Sequence, residues 1–361
     1  VIPAAAHIEL NITALRHNAC RAREFAPEAK LMAVIKANAY GHGLVLVANS
    51  LAEFVDAYAV ARIDEAVRLR AANVQRRILV LQGFSSLDEL KLMQRYQLES
   101  VIYTEQQVDI LEAANLPGTL TIWLKIETGM NRLGFRPERF VAVLQRLQQC
   151  SSVHAEISFM THFANADDLQ DNKTTQQLQL FNETTKNYSG AKSSANSAAI
   201  IAWPATRQDW VRPGLMLYGA SPMLQQTAQH QGLVPVMSLY ARIIAIKQLK
   251  KGATVGYGGT WQAAKNTLLA VVSIGYGDGY PRHAKQGTPV LINNQRMPLV
   301  GRVSMDMITV DITEHAGIKS GDQVLLWGDG LPVEEVAACA DTIPYTLLCG
   351  ITQRVQIVIK E

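Results

Sequence analysis

The sequence predicts an α/β architecture: a (β/α)8 barrel of the TIM type followed by a mostly β domain. Three observations carry that expectation. Between about residues 30 and 214, short apolar runs alternate eight times with longer, helix-like stretches. A polar, Gln-rich stretch at 221–235 (SPMLQQTAQHQGLVP) then breaks the pattern. Beyond it come short strand-like runs separated by Gly and Asn turns. With 361 residues, the chain also has length for about two domains at roughly 150 residues each.

The eight barrel strands are expected at 30–36 (KLMAVIK), 57–60, 77–81 (RILVL), 100–103 (SVIY), 120–126 (LTIWLKI), 156–162 (EISFMTH), 191–194 and 210–212. The last two are short and polar. Between them, stretches such as 86–96 and 137–149 carry Leu and Ala at helical spacing. Pro137 just inside its helix and Asp88 and Glu89 in a first turn are start signals. The second domain reads as strands at 236–246, 268–274, 289–293, 297–303, 307–312 and 323–327, with Asn293-Asn294 as a hairpin turn. The expected division is therefore 1–230 and 231–361. The opening AHIELN segment (6–11) is strand-like and could pair with either domain.

Composition excludes several function classes. Thirty-four basic and 31 acidic side chains leave a net charge of +3, too small for a nucleic-acid or membrane-surface footprint. No apolar run approaches the ~18 residues of a membrane span. Cys20, Cys150, Cys339 and Cys349 are scattered without metal or disulfide spacing, as expected of reduced thiols in a cytoplasmic protein that holds no metal. The chain opens on Val1 rather than Met, which leaves room for residues upstream.

In such a barrel the chemistry gathers at the carboxyl ends of the strands, and here those ends are reactive. Lys36 closes the first run, Lys125 lies near the end of the fifth and His162 closes the sixth; Ser197 opens a helix after the seventh, and the eighth leads into Arg212-Pro213-Gly214. By itself Lys36 also fits a solvated strand end. Desolvated by Val34 and Ile35, its amine becomes a nucleophile for Schiff-base chemistry. Tyr40, Ser197 and the backbone N–H groups of Gly214 and Leu215 are donors for a phosphate. A lysine at one rim and a phosphate grip opposite point to pyridoxal 5'-phosphate (PLP).

These residues lie in motifs that resemble one family. AVIKANAYGHG (33–43) looks like the PLP-lysine motif of bacterial alanine racemase. The likeness continues through LKIETGMNRLG (124–134), MTHFANAD (160–167), ANSAA (195–199), VRPGLMLYG (211–219), VGYGGTW (255–261), IGYGDGYPR (274–282), VGRVSMDM (300–307) and IPYTLL (343–348). Nine motifs in order span both expected domains; the loop between Gln225 and Gly232 is where the chain looks individual.

The resemblance implies a head-to-tail homodimer with composite active sites that interconverts L- and D-alanine, supplying D-alanine for peptidoglycan. It makes Lys36 the PLP-bearing lysine and one catalytic base, and Tyr257, supplied by the other subunit, the opposing base. Inversion without net redox needs an acid/base group on each face of the carbon. His162 would assist the tyrosine and be tied to Arg212, and Arg212 would face the pyridine nitrogen. Because arginine keeps its proton, that ring stays a weaker electron sink than one paired with a carboxylate. Arg132 would bind the cofactor oxygen and the substrate carboxylate, with the backbone N–H of Met305 contacting that carboxylate. Lys125 aligns with a lysine carbamylated in relatives, and chloride is the alternative counter-anion. Tyr345 and Tyr276 would line a narrow entrance, Tyr345 also near the phosphate, with Asp167, Arg302 and Ile343 in its outer layers. The alternatives are a broad-specificity racemase of the same fold and a non-catalytic PLP-binding homeostasis protein without the β domain. A PLP decarboxylase shares the two-domain plan, but Arg212 stands where it would use an acid.

Overall fold

A computed structural model describes residues 5–114, 116–224 and 226–361. Val1 and Gln225, which bear on the readings of the chain start and of the 225–232 loop, lie outside them. The chain divides into two compact units. One comprises 16–217 with 221–226; the other comprises 1–15, 218–220 and 227–361.

After β1 (Ala6–Asn11) and α1 (Ile12–Phe25), the first unit is a closed barrel of eight parallel strands, as expected. These are β2 (Lys30–Val34), β3 (Ala57–Val60), β4 (Arg77–Val80), β5 (Glu99–Ile102), β6 (Ile122–Lys125), β7 (Ser158–Met160), β8 (Lys192–Ser193) and β9 (Trp210–Val211). Strands β3 and β5 are buried at every residue, which is why they read as continuous apolar runs rather than alternations. Between β2 and β3 the chain makes a single turn, α2 (Lys36–Tyr40), and the helix α3 (Leu44–Ser50). The remaining crossovers are α4 (Ile63–Ala71), α5 (Leu87–Arg95), α6 (Glu105–Ala113), α7 (Pro137–Gln149), α8 (Lys173–Thr185) and α9 (Ser197–Ala202). Ser86 caps α5 through the Glu89 N–H at 3.2 Å, and Pro137 opens α7. Phe140 of α7 buries its ring edge-on to Phe159 of β7 at 5.5 Å.

The second unit is built on an eight-stranded sheet. Its long strand β10 (Met237–Leu249) is followed by a small ribbon, β11 (Thr254–Val255) and β12 (Trp261–Gln262). Then come β13 (Thr267–Val272), β14 (Pro289–Ile292), β15 (Gln295–Val300), β16 (Ile308–Asp311), β17 (Gln323–Trp327) and β18 (Gln356–Lys360). The order is β13-β16-β15-β14-β17-β10-β1-β18, with β13 also pairing β10. The opening strand β1 thus joins this unit, antiparallel to β10 and parallel to β18. Its buried–half-buried alternation shows one face in the core. Tyr280 stacks on Trp327 at 6.1 Å within that core.

Three features go beyond the sequence reading. β18 was not expected, and the helices α10 (Val333–Cys339) and α11 (Pro344–Cys349) interrupt the β domain. The stretch 221–235 buries more than its polarity implies: Met223, Ala228, Gln231 and Leu233 are buried, and Thr227 and His230 close a reciprocal cap on a 3-10 turn. Among the described residues no helix is long and apolar enough to cross a membrane.

Candidate active site

Lys36 begins directly beyond β2, after the buried Val34 and Ile35. The turn that follows is unusual: Ala37, Asn38, Ala39 and Tyr40 have φ of +53°, +54°, +55° and +52°. Each non-glycine residue in that region costs about 1–2 kcal/mol, so the conformation must be imposed by its surroundings. Asn38 supports it by accepting from the Leu44 N–H at 3.0 Å. The ring Nδ1 of buried His42 lies 3.1 Å from the Ala39 carbonyl and 2.9 Å from that of Tyr40. The Ala37 N–H donates to Glu65 Oε1 at 2.7 Å. Glycine closes the turn at Gly41 and Gly43, with φ of +84° and +95°.

Tyr40 is buried, and its hydroxyl fixes what position 214 can be. A Cβ on Gly214 would lie 2.7 Å from Tyr40 Oη, so only glycine allows the approach. Ser197 Oγ accepts from the Gly214 N–H at 2.8 Å and the Met216 N–H at 3.4 Å. Hydroxyls and main-chain amides from α2, α9 and the 214–216 turn therefore converge on one small cradle. Their chemistry fits a phosphate.

Around this cradle the charge is one-sided. Arg212 is buried and donates to Ser193 Oγ at 2.5 Å, the Thr161 carbonyl at 2.6 Å and the Ser194 carbonyl at 3.3 Å. Burial pulls its pKa down to about 10. Lys125 is pulled down to about 8, by burial first and then by the positive charges of Arg212, Arg132 and Lys36, against Glu127. Burial, followed by the fields of Arg212, Lys125, Arg132 and Lys36, drives His162 well below its ordinary 6.5. Arg212 acts on His162 through this field: its guanidinium hydrogen bonds go to Ser193, Thr161 and Ser194. Glu127 is engaged with the backbone N–H groups of Gly129 and Arg132.

Two supporting residues escaped the sequence reading. Glu65 carries no motif signal beyond a helix-start carboxylate. Gln177 of α8 is buried and ties two rims together: Nε2 donates to Thr128 Oγ1 at 3.2 Å and the His162 carbonyl at 3.1 Å, and Oε1 accepts from Ala164 at 3.0 Å. Asp167, in the same unit, lines a cavity of about 430 Å³ with Asp168, Met223 and Leu224.

The other expected residues belong to the β unit. Tyr257 stands 70% exposed in a turn whose neighbours Gly256 and Gly258 have φ of +71° and +74°. It lines a cavity of about 420 Å³ with Arg302, Ser304 and Met307. Met305 and Tyr276 sit on two loops laced together, Gly277 N–H donating to the Met305 carbonyl at 2.9 Å and Tyr276 N–H to that of Ser304 at 3.1 Å. Ile343 and Tyr345, at the start of α11, are exposed.

Comparison with known proteins identifies the family over both units. Residues 10–222 match the family described as alanine racemase, N-terminal domain, and 236–359 match alanine racemase, C-terminal domain. The chain is 48% identical over 351 residues to an alanine racemase of Aeromonas hydrophila, covering 97% of this chain and 98% of that protein. It is 47% identical to the biosynthetic alanine racemase of Escherichia coli O6:H1, covering 97% and 98%. The solved structure of the biosynthetic alanine racemase from Pseudomonas aeruginosa superposes with a TM-score of 0.97 at 41% identity, covering 99% of this chain and all of that one. Two-domain architecture, barrel-rim chemistry and full-length likeness agree: the chain belongs to the alanine racemase family.

Proposed function

We propose that this chain is a PLP-dependent racemase that interconverts L- and D-alanine as a cytoplasmic homodimer, supplying D-alanine for the cell wall. The observation that carries the reading is the charge of the barrel mouth. Lys36, Lys125, Arg132 and Arg212 surround a desolvated His162, and Glu127 is committed to main-chain amides. Such a mouth calls for anions, and a phosphate together with a substrate carboxylate supplies them.

Tyr40, Ser197, Gly214 and Leu215 would hold the phosphate, Lys36 the carbonyl carbon by covalent attachment, and Arg212 the pyridine nitrogen. Bound there, PLP supplies an electron sink that acidifies the α-carbon of the amino acid. Arg212, with a pKa near 10, stays charged at neutral pH, so it would donate a hydrogen bond to that nitrogen and would not give up its proton. Arg132 and the Met305 N–H hold the carboxylate. Lys36 moves the α-proton on one face, and Tyr257 of the partner subunit moves it on the other. A neutral His162 can accept from that tyrosine, which helps because a phenol is a poor base alone. Lys125, at about 8, has a neutral fraction available for carbamylation, and the resulting anion would orient Arg132. Tyr276, Arg302, Ile343, Tyr345 and Asp167 would restrict entry to small amino acids.

The test has two parts. A chiral assay of the purified protein with L-alanine, L-serine and L-lysine should return D-alanine foremost; comparable D-serine and D-lysine would favour the broad-specificity reading. Lys36→Ala and Tyr257→Ala homodimers should each be inactive. Refolded together, half the dimers are mixed and carry one complete site of two, so about a quarter of the activity should return. No recovery, with mixed dimers confirmed by differential tags, would refute the composite site.

A further inference from the structure

We propose that Glu65 is a positioning residue for Lys36, holding through one carboxylate oxygen the left-handed turn that presents the lysine at the barrel mouth. The inference rests on Lys36 being the cofactor-bearing lysine. Glu65 is buried, 6% exposed, yet among the described residues it forms no salt bridge, and the nearby ion pair is Arg62 with Asp64. Its charge is met by main-chain amides instead. Oε2 accepts from Ala61 at 2.9 Å and Arg62 at 3.2 Å, the ordinary duty of a carboxylate in the first turn of α4. Oε1 does something else: it reaches back 28 residues to the Ala37 N–H at 2.7 Å.

That amide belongs to the peptide immediately after Lys36, so the bond fixes the lysine's own ψ and the entry into the strained turn. Alanine, asparagine and tyrosine have no intrinsic preference for four successive positive φ angles. A charged acceptor at the first of them opposes relaxation to a right-handed conformation. Because Ile35, one residue before the lysine, also donates to the Ala59 carbonyl at 2.9 Å, Lys36 is clamped on both sides.

Glu65→Gln separates the two duties. The amide oxygen is best spent on the two N–H groups of Ala61 and Arg62, which turns the NH2 toward the Ala37 N–H, donor against donor. The cap survives and the clamp is lost. The measurement is the rate at which cofactor-free protein captures added PLP, trapped by borohydride and located by peptide mass analysis, alongside the melting temperature without cofactor. E65Q should capture at Lys36 about tenfold more slowly, the loss of roughly one charge-assisted hydrogen bond, while melting within a few degrees of the parent. Ala37→Gly in the E65Q background should restore much of the rate, because glycine takes a positive φ without strain. Capture by E65Q at the parental rate would overturn the inference while leaving the Lys36 reading intact. So would a rate loss matched by collapse of the fold and unrelieved by glycine, which would make Glu65 only a helix cap. Trapping on another lysine in the parent protein would instead overturn the Lys36 reading, and the Glu65 role with it.

Discussion

The two ends of the barrel treat their cations in opposite ways. At the amino-terminal end, Arg77 pairs with buried Glu99, Nη2 to Oε2 at 3.1 Å, and Glu99 also accepts from Trp123 Nε1 at 2.9 Å. The Arg77 guanidinium lies 4.9 Å from the Trp210 ring centre, with Lys30 over the same ring at 5.4 Å. Arg70 donates to the carbonyls of Tyr96, Val74, Arg76 and Gln97. Glu99 raises the pKa of Arg77, chiefly through their hydrogen bond, and partly offsets the burial that lowers that of Arg70. At the carboxyl-terminal end no carboxylate lifts the cations in this way: Lys125 falls to about 8 and Arg212 to about 10, and His162 falls well below 6.5, with like charges adding to burial at Lys125 and His162. One end resolves its charge within the fold. The other stores positive potential, and stored potential is what recognises an anionic ligand.

The largest effects should separate these roles. Lys36→Ala should lower racemisation by at least about a thousandfold, as expected when a nucleophile and base are removed together. Its cofactor-free melting temperature should stay level or rise, because a like charge has left the mouth. Glu99→Gln should do the reverse. It weakens the acceptor for Arg77 and Trp123 and should cost about 2–4 kcal/mol, below a fully buried pair because Arg77 is partly exposed. Turnover per folded molecule should be unchanged. Denaturant titration and turnover on the same samples check both; a stable E99Q variant with slow turnover would erase the distinction between the ends.

How much of this was legible in the sequence follows from the same physics. The barrel strands were readable because β3 and β5, buried throughout, appear as unbroken apolar runs. β18 was not, because all five of its residues are exposed and no core face marks them. The partner of β1 is a long-range choice that alternation alone does not make. At the site, Lys36, His162 and Arg212 announced themselves by standing at strand ends within motifs. Glu65 and Gln177 act on main-chain atoms of other loops, so their work depends on which loop lies alongside. Glu65 has half a signal, the capping carboxylate; its bond to Ala37 exists only once β2 and β3 are neighbours.

A moderate effect concerns pH. The folded pKa of His162 lies well below 6.5, so as pH falls past 6.5 the unfolded chain takes up a proton that the folded chain does not. Stability is therefore lost on acidification, and buried His42, lowered to about 4, adds to the loss in the same window. Lys125 gives the alkaline counterpart. Between about 8 and 10.5 the unfolded lysine still holds a proton that the folded one has released, so stability rises with pH there. Melting curves of cofactor-free protein should show both slopes. His162→Asn should flatten the acid limb, and Lys125→Met the alkaline one. If neither variant changes its limb, the potential is not concentrated at the mouth.

The smallest effect asks whether that potential recognises an anion at one particular place. Inorganic phosphate is a fair probe because it has the charge and the oxygens without the ring. At about ten times its dissociation constant, a ligand bound only by the folded state stabilises it by about 1.4 kcal/mol, or roughly 3–5 °C in a domain of this size. Cofactor-free protein should show such a rise. Gly214→Ala should abolish most of it, since the new methyl would lie 2.7 Å from Tyr40 Oη and force the hydroxyl from the cradle. Ser197→Ala should weaken it less, because Gly214 and Met216 keep their amides as donors. Glu99→Gln, at the far end of the barrel, should melt lower yet gain the same increment from phosphate. An increment retained by G214A would move the anion away from the cradle, to the more exposed charge of Arg132. It would then be the field of the mouth, rather than its shape, that selects the ligand.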